Sequence, residues 1–185
     1  TGGRNFEAYG EDPFLAGRFG TEWVKGAQSV PGIAACAKHY ACNEFERFRM
    51  TMDCHVDKRP LHELYLRHFE MVVKEGKVGC IMTGYNKVNG SYACSNKYLL
   101  DDVLRRSWGF DGVVMSDWYG THDTAESAKA NLLDLEMPGP PYIRGKKLVK
   151  AVKDGVVGEG DIDTHVLRLA GCMCMQLAVG PAHAS

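Results

Sequence analysis

Short apolar segments alternate along the chain with segments whose apolar residues recur at helical spacing. The apolar segments are four or five residues long and are flanked by glycine or polar residues, as is typical of strands covered on both faces. They comprise residues 33–37, 78–82, 112–115 and 132–135. This alternation is the strongest constraint on the fold, because strands separated by helices pair in parallel through βαβ units. The sequence therefore predicts an α/β fold with a parallel sheet.

Five segments carry helix signals. Residues 13–28 follow Asp12, a favourable N-cap residue, and place Pro13 at the first helical position. Residues 60–75 repeat apolar side chains at helical spacing and end at Gly76. The other helices are predicted at residues 96–108, at 146–153 and from 161 to about 172.

Two architectures fit this pattern, a doubly wound open sheet and a (β/α)₈ barrel. No GxGxxG follows a predicted strand, which weakens a dinucleotide-binding interpretation. Polar side chains instead follow several strand ends, at Lys38–His39, Tyr85–Asn86, Asp117–Trp118 and residues 136–138. Functional residues after many strands are typical of the barrel, which has eight strands and about 250 residues when complete.

The four or five strands therefore predict part of a (β/α)₈ TIM-like barrel, with parallel strands alternating with helices, over residues 1–170. Residues 171–185 are rich in small side chains and are predicted to be a frayed C-terminal tail.

The charge and hydropathy of the chain give no indication of a nucleic-acid or membrane partner. The formal net charge of -1 offers no general attraction to nucleic acid or to an anionic membrane. No apolar run approaches the roughly 18 residues of a transmembrane helix. The first residues are no signal peptide and lack an initiator Met, so we expect the chain to begin inside something larger or after processing.

The seven cysteines are an odd number and cannot all pair within the chain. There is no CxxC, and Cys172-x-Cys174 is a poor zinc half-site because the nearby histidines, His165 and His183, lack the usual spacing. The other histidines form no HExxH motif. We interpret the cysteines as buried small apolar residues in a reduced chain, and we predict no metal site.

Asp117 is the strongest candidate for chemistry. It directly follows an apolar strand and precedes Trp118, so its carboxylate is predicted to lie at the mouth of the barrel beside an aromatic ring. Cleavage of a glycoside needs one carboxylate to attack or stabilise the oxocarbenium-like carbon and a second carboxyl group to protonate the leaving oxygen. The alternative is structural: Asp is a favoured N-cap, and Trp118 could simply pack.

Several polar residues could serve the same site. Lys38 and His39 can donate hydrogen bonds to neighbouring sugar hydroxyls, and Arg49 can offer a planar pair of donors. Tyr85 could hydrogen-bond a carboxylate nucleophile. Each has a simpler reading: Lys38 as a surface lysine beside a satisfied His39, Arg49 as a loop salt bridge, and Tyr85 as a packing residue.

Motifs follow one another in a fixed order along the chain. They are residues 3–7 with 11–13, residues 38–40 with Asn43, Glu46 and Arg49, then residues 82–86, 112–118 and 137–140. In this order and spacing they resemble glycoside hydrolase family 3 over about residues 2–170. The run from Lys38 to Arg49 resembles the β-glucosidase branch, whereas the N-acetylhexosaminidase branch would show a KHFPGHG-like loop there.

The resemblance implies roles for individual residues. Asp117 matches the catalytic nucleophile of a retaining enzyme that cleaves terminal β-D-glucosyl residues from a β-glucoside or oligosaccharide. The sugar-binding residues of the −1 subsite are matched by Arg4, Lys38, His39 and Arg49. Tyr85 matches the tyrosine that contacts the nucleophile, and Met82 and Trp118 match residues that line the pocket. No cofactor is implied.

Two parts of the family's machinery have no counterpart in this sequence. A further sugar-binding Asp is expected upstream, in the early barrel, and the acid/base Glu is expected from a second α/β domain after it. We therefore expect the remainder of the barrel and that domain as partners of this segment. The alternatives are a catalytically incomplete carbohydrate-binding remnant and a β-xylosidase or α-arabinofuranosidase of the same family.

Overall fold

The computed structural model describes residues 2–178. Its strands are β1 (Cys36–Tyr40), β2 (Asp53–Cys54), β3 (Cys80–Thr83), β4 (Lys87–Val88), β5 (Ser91–Tyr92) and β6 (Val113–Ser116). Its α-helices are α1 (Pro13–Gln28), α2 (Lys58–Pro60), α3 (Arg67–Lys74), α4 (Gly145–Lys153) and α5 (Glu159–Ala178). Two segments are π-helical, Leu61–Tyr65 and Tyr98–Ser107, and two are 3₁₀-helical, Asn5–Glu7 and Ala93–Ser95.

The central sheet is parallel, as the sequence predicts. Its strands lie in the order β1-β3-β6, with Cys36 opposite Cys80 and Ile81 opposite Val114. The predicted strand at residues 132–135 is reduced to a parallel bridge between Leu135 and Met115 of β6. Because neighbours in the sheet follow chain order and run in parallel, their carboxyl ends meet at one edge.

The first strand lies further along the chain than residues 33–37, where the sequence predicts it. β1 includes Lys38 and His39, which an apolar pattern excludes, and ends at the fully buried Tyr40. Its register against β3 shifts between Ala37 and Tyr40, so that β1 gains one residue relative to its partner. Such a bulge re-aims side chains next to it. The hydroxyl of Tyr40 donates to the Leu99 carbonyl at 2.9 Å and anchors this end.

The two faces of the sheet enter different cores. Ile81 and Val114 face a large apolar core that includes Phe69 of α3 and Leu104 of the π-helical segment Tyr98–Ser107. The opposite face carries Cys80 and Val113, which pack against Leu169 and Cys172 of α5. The sheet is therefore covered on both faces, which explains the apolar runs in the sequence.

The helices form where the capping residues and apolar stripes predict them. Asp12 Oδ1 accepts from the backbone N–H groups of Phe14 and Leu15 at 2.8 and 2.9 Å, and α1 has the predicted bounds. The helix predicted at residues 60–75 is interrupted by the π-helical segment Leu61–Tyr65, and the one at 96–108 is π-helical over Tyr98–Ser107. An apolar stripe does not distinguish these hydrogen-bond patterns from the α-helix.

The last helix extends beyond the predicted end near residue 172. α5 continues through Gly171 to Ala178, and Cys172 is buried against the sheet. The predicted frayed tail therefore does not begin at residue 171, since packing on the sheet supports this part of the helix. Residues 179–185 of that prediction lie outside the described residues. Within residues 2–178, no helix combines the length and hydrophobicity needed to cross a bilayer.

A small second sheet joins the segments that follow β1 and β3. β2 pairs in parallel with β4, and β4 forms an antiparallel hairpin with β5. The hairpin turn at Asn89 and Gly90 has φ of 51° and 91°, the region that an Asn-Gly turn favours. Asn89 Oδ1 accepts from the Val56 N–H at 3.0 Å, and Asp53 Oδ1 accepts from the Gly90 N–H at 3.0 Å. This small sheet connects the loop after β1 to the loop after β3 by backbone hydrogen bonds, beside the carboxyl edge of the central sheet.

Candidate active site

Three side chains converge at the carboxyl edge of the central sheet. His39 lies in β1, Tyr85 follows β3 by two residues, and Asp117 follows β6 directly. His39 Nε2 lies 3.4 Å from Asp117 Oδ2, although 78 residues of chain separate them. The Asp117 carboxylate is also close enough to the Tyr85 phenol to raise its pKa. The convergence of these residues on one end of the sheet, expected from a barrel, is found in the structure.

The two oxygens of the Asp117 carboxylate have different surroundings. Oδ1 accepts a hydrogen bond from the Trp118 N–H at 2.6 Å. Oδ2 is buried and has no hydrogen bond among the described residues. No helix begins between Ser116 and Gly145, so the N-cap alternative for Asp117 is wrong. The carboxylate is therefore held through Oδ1, while Oδ2 has only the His39 imidazole at 3.4 Å and no hydrogen bond among the described residues.

The backbone around Asp117 is fixed by the neighbouring chain. Ser116 N–H donates to the Leu135 carbonyl at 2.9 Å, and Tyr119 N–H donates to the Met137 carbonyl at 2.9 Å. Gly120 N–H closes the turn on the Asp117 carbonyl at 2.9 Å. These bonds place the carboxylate on a rigid strand end, as a site that needs precise geometry requires.

Burial and charge determine the protonation of the two neighbours. Burial lowers the pKa of His39, although the Asp117 carboxylate opposes that effect. The positive charges of Lys38 and Arg4 lower it further. Burial, followed by the contact with the Asp117 carboxylate and its negative charge, raises the pKa of Tyr85 to about 12. A neutral imidazole and a protonated phenol therefore flank the carboxylate at neutral pH.

Tyr85 is held from several directions. A Cβ on Gly120 would lie 3.1 Å from the Asp117 carbonyl oxygen and 3.2 Å from the Tyr85 ring, so a larger residue there would have to displace one of them slightly. His122 Nε2 contacts the Tyr85 carbonyl at 3.1 Å, and Tyr92 stacks on His122 with ring centroids 3.6 Å apart. The Arg49 guanidinium lies over the Tyr85 ring, 4.7 Å from its centroid.

Arg49 also forms the loop salt bridge that was the simpler interpretation of this residue. Its Nη1 lies 3.2 Å from Glu46 Oε2. The pair and the stacking on Tyr85 are compatible, because a guanidinium can use its edge and its face at once. Arg49 therefore links the loop after β1 to the tyrosine beside Asp117.

Arg4 and Lys38 share one carboxylate, that of Glu7. Lys38 Nζ lies 2.8 Å from Glu7 Oε2, and Arg4 Nε contacts Glu7 Oε1. Sequence reasoning did not select Glu7 as a site residue, because the segment around it has the pattern of a capped loop. Its partner Lys38 is 31 residues away, so local spacing gives no sign of the pair.

The pocket-lining residues differ in exposure. Trp118 is 46% exposed, which leaves its ring available to a ligand. Met82 is half-buried near the end of β3, with Met115 of β6 opposite it. Both lie at the same edge of the sheet as Asp117.

Another acidic side chain near this edge, Glu136, accepts hydrogen bonds from the backbone. Its two oxygens accept from the N–H groups of Tyr142, Ile143 and Arg144 at 2.7–2.9 Å. It therefore anchors a loop and has little freedom for proton transfer. In the part of the chain that the structure describes, no group of three or more His, Cys, Asp or Glu side chains could hold a metal ion. In the described residues no cysteine forms a disulfide bond, and Cys42, Cys80, Cys94 and Cys172 are buried.

Residues 1–171 match the family model described as the glycosyl hydrolase family 3 N-terminal domain. The chain belongs to this family. The resemblance and the fold class predicted from the sequence are thereby confirmed, since the parallel strands and helices form part of the family's TIM barrel.

The chain is similar to several β-glucosidases of the family. It is 54% identical over 155 residues to a β-glucosidase of Rhizobium radiobacter, covering 84% of this chain and 19% of the relative. It is 51% identical over 163 residues to β-glucosidase B of Emericella nidulans, covering 88% of this chain and 19% of the relative. The chain thus spans about a fifth of the length of these curated relatives.

Solved structures give the same picture. The β-glucosidase of Kluyveromyces marxianus in complex with glucose has a TM-score of 0.90 and 42% identity, covering 96% of this chain and 21% of that chain. β-Glucosidase 3B of Thermotoga neapolitana in complex with glycerol has a TM-score of 0.88 and 43% identity, covering 93% of this chain and 25% of that chain. The chain therefore has the fold of a segment of these β-glucosidases.

Proposed function

We propose that this chain carries the nucleophile-bearing part of a retaining β-glucosidase active site, with Asp117 as the nucleophile. The Asp117 carboxylate is the observation that carries the proposal. It is buried at the carboxyl end of β6, and its Oδ2 faces His39 without a hydrogen bond among the described residues. A buried carboxylate oxygen without a hydrogen bond costs free energy, and its place at the carboxyl end of a strand in a family-3 barrel supports a functional role.

The proposed reaction has two displacements at the anomeric carbon. An Asp117 oxygen attacks that carbon in a terminal β-D-glucosyl residue, the glycosidic C–O bond breaks, and the leaving oxygen takes a proton from a general acid. Water then attacks the same carbon and breaks the ester, which restores the carboxylate and returns a proton to the acid/base group. Two inversions give net retention.

The neighbours of Asp117 support its role as a nucleophile. His39 is neutral at neutral pH because burial lowers its pKa, so it does not neutralise the carboxylate with a full positive charge. Tyr85 keeps its proton because its pKa is about 12, and its phenol can therefore donate a hydrogen bond to the carboxylate. These two groups flank the Asp117 carboxylate and can orient it.

The glucosyl residue is proposed to bind through donors on one side and apolar surface on the other. Arg4, Lys38, His39 and Arg49 supply N–H donors for sugar hydroxyls. Trp118 and Met82 supply surface for the C–H groups of the sugar and its leaving group. The curated relatives and the solved structures reported above are β-glucosidases, which favours glucose over xylose or arabinose as the terminal sugar.

The acid/base is proposed to be a Glu outside these 185 residues, on a second α/β domain, and the rest of the barrel is proposed to complete the pocket. A general acid must hold its proton near the working pH. The hydrogen bond from Lys38 lowers the pKa of Glu7, Glu46 is paired with Arg49, and Glu136 accepts three backbone N–H groups. None of these three carboxyl groups is arranged as a proton donor.

A fluorosugar tests the nucleophile directly. The protein expressed from its complete gene is incubated with a 2-deoxy-2-fluoro-β-glucosyl fluoride, which loses fluoride and traps the glycosyl ester. We expect peptide mass spectrometry to find one label, on Asp117, and expect Asp117→Ala to remain unlabelled. A label on another carboxylate would remove the proposed role of Asp117.

A further inference from the structure

One carboxylate, that of Glu7, bridges two cationic side chains at the edge of the site. Its Oε2 accepts from Lys38 Nζ at 2.8 Å, and its Oε1 contacts Arg4 Nε. The Glu7 side chain is 24% exposed, the Arg4 side chain 33% and the Lys38 side chain 39%. Neither cation makes another ion pair among the described residues, so Glu7 is their common partner.

The position of Glu7 is fixed by the chain around it. It ends the 3₁₀ segment Asn5–Glu7, where its N–H donates to the Arg4 carbonyl at 3.2 Å. Just before this turn, Gly3 N–H donates to the Glu44 carbonyl at 2.7 Å. A Cβ on Gly3 would lie 2.3 Å from Glu46 Cγ, so the segment packs closely on the loop after β1. The Glu7 carboxylate therefore reaches Lys38 from a turn that is packed against the loop after β1.

Arg4 and Lys38 need such a partner if they are to act together. Both side chains lose considerable rotamer freedom when they are fixed, and two adjacent cations repel each other. The hydrogen bond from Lys38 holds the pKa of the Glu7 carboxyl below its usual range, so Glu7 is ionised at neutral pH. One negative charge between two positive ones removes the repulsion and selects one arrangement of both side chains.

This arrangement lies next to the reacting carboxylate. Lys38 precedes His39, whose Nε2 is 3.4 Å from Asp117 Oδ2. The charges of Lys38, Arg4 and Glu7 all act on His39, which places the three groups within electrostatic reach of that imidazole. A shift of the Lys38 or Arg4 side chain would therefore change the surroundings of a sugar bound over Asp117.

We propose that Glu7 is a positioning residue that holds Arg4 and Lys38 in the arrangement that receives the hydroxyls of the sugar. The inference rests on the proposed function, because it takes Arg4 and Lys38 as sugar-binding groups. Glu7 has both oxygens occupied by the two cations and acts through them.

A double-mutant cycle tests this role in the protein expressed from its complete gene, with an aryl β-glucoside as substrate. Displacement of a positioning contact by about 1 Å can cost about 10²-fold, so we expect Glu7→Gln to lower kcat/KM by about 10- to 100-fold. In a Lys38→Met background the same change should cost at most about threefold, because residues that act through one another are not additive. The matched control is Glu22→Gln, which removes the exposed pair with Lys25 on α1 and should leave kcat/KM unchanged.

The conservative variant and the folding measurement separate positioning from a structural role. Glu7→Asp keeps the charge and should recover part of the loss, and the thermal midpoint of each variant reports folding. If Glu7→Gln does not fold, Glu7→Asp replaces it in the cycle with an expected loss of about tenfold. Equal losses with and without Lys38, or a kcat/KM within twofold of the parent, would overturn the inference. If the fluorosugar labels Asp117 but Glu7→Gln leaves kcat/KM unchanged, this inference alone is overturned. If the fluorosugar labels another carboxylate, the proposed function is overturned.

Discussion

Two buried aspartates lie on neighbouring parallel segments of the sheet, Asp117 directly after β6 and Asp134 just before Leu135. Each oxygen of Asp134 is used twice. Oδ2 accepts from Arg105 Nη2 at 2.6 Å and the Val114 N–H at 2.7 Å, and Oδ1 contacts His165 Nδ1 at 2.8 Å and Arg168 Nη1 at 3.2 Å. Asp117 has one backbone N–H on Oδ1 and no hydrogen bond on Oδ2 among the described residues.

The number of hydrogen bonds that each carboxylate accepts distinguishes a structural aspartate from one that is proposed to react. Asp134 is fully buried, and burial alone would raise its pKa. The hydrogen bond from His165 and the charge of Arg105 outweigh burial and lower the pKa. All of its lone pairs are occupied, so Asp134 ties β6 and α5 together and has none left to attack a substrate. Asp117 accepts fewer hydrogen bonds, so its Oδ2 is available to a substrate.

The largest effect that this contrast predicts is on activity. Replacing Asp117 by Asn removes the proposed nucleophile without changing the size of the side chain, and we expect kcat of the protein expressed from its complete gene to fall by about 10⁴-fold or more. The fold should be at least as stable as the parent, since an unpaired buried carboxylate oxygen is lost. Steady-state hydrolysis of an aryl β-glucoside and a thermal melt of the same sample measure both quantities. A variant with a tenth of the parent activity would remove the contrast between the two aspartates.

The reciprocal change is predicted to affect stability. Replacing Asp134 by Asn leaves the Arg105 guanidinium, whose side chain is 5% exposed, without its charge partner. Breaking a buried ion pair from one side costs about 3–5 kcal/mol, so the free energy of unfolding should fall by that amount. Urea denaturation measures the loss, and kcat per folded molecule should change little.

A surface pair provides the control for this second prediction. Glu126 pairs with Lys129 at 2.7 Å, and both side chains are more than half exposed. Glu126→Gln should cost less than about 1 kcal/mol, since exposed ion pairs contribute little. If Asp134→Asn were as stable as this control, the network around Asp134 would not hold the sheet and α5 together.

The extent to which the sequence predicts these features depends on how local their causes are. The bounds of α1 follow from Asp12 and Pro13, since the capping interaction spans only three residues. Asp117 was identified because it directly follows an apolar strand inside a recognisable family motif. The apolar pattern places β1 too early because the strand continues through Lys38 and His39, which are held between the paired residues Ala37 and Tyr40.

Residues whose roles depend on distant partners were not found. Asp134 was interpreted as part of an apolar strand, because its partners Arg105, His165 and Arg168 lie 29 to 34 residues away on other elements. Glu7 was missed for the same reason, with Lys38 31 residues further along. Such networks form only when the fold brings the segments together, so no local pattern encodes them.

The smallest predicted effect concerns the histidine beside Asp117. Burial lowers the pKa of His39, and the Asp117 carboxylate is the strongest opposing influence. Asp117→Asn removes that influence, so the pKa of His39 should fall further. An NMR titration of the histidine ring protons measures this change, with His39→Gln to assign the resonance. His55→Gln, which alters a histidine whose side chain is 77% exposed, is the control that should leave the His39 resonance in place.

The lowered pKa of His39 also makes the free energy of unfolding decrease as the pH falls. His39 binds its proton less tightly in the folded chain than in the unfolded chain, where its pKa is about 6.5. As the pH falls below that value, the unfolded state takes up more protons than the folded state, so the free energy of unfolding decreases. Above it both states are neutral and this contribution is flat. The decrease should reach to lower pH in Asp117→Asn and should be smaller in His39→Gln. A His39 pKa that rises in Asp117→Asn would show that the two side chains are not coupled through the carboxylate charge.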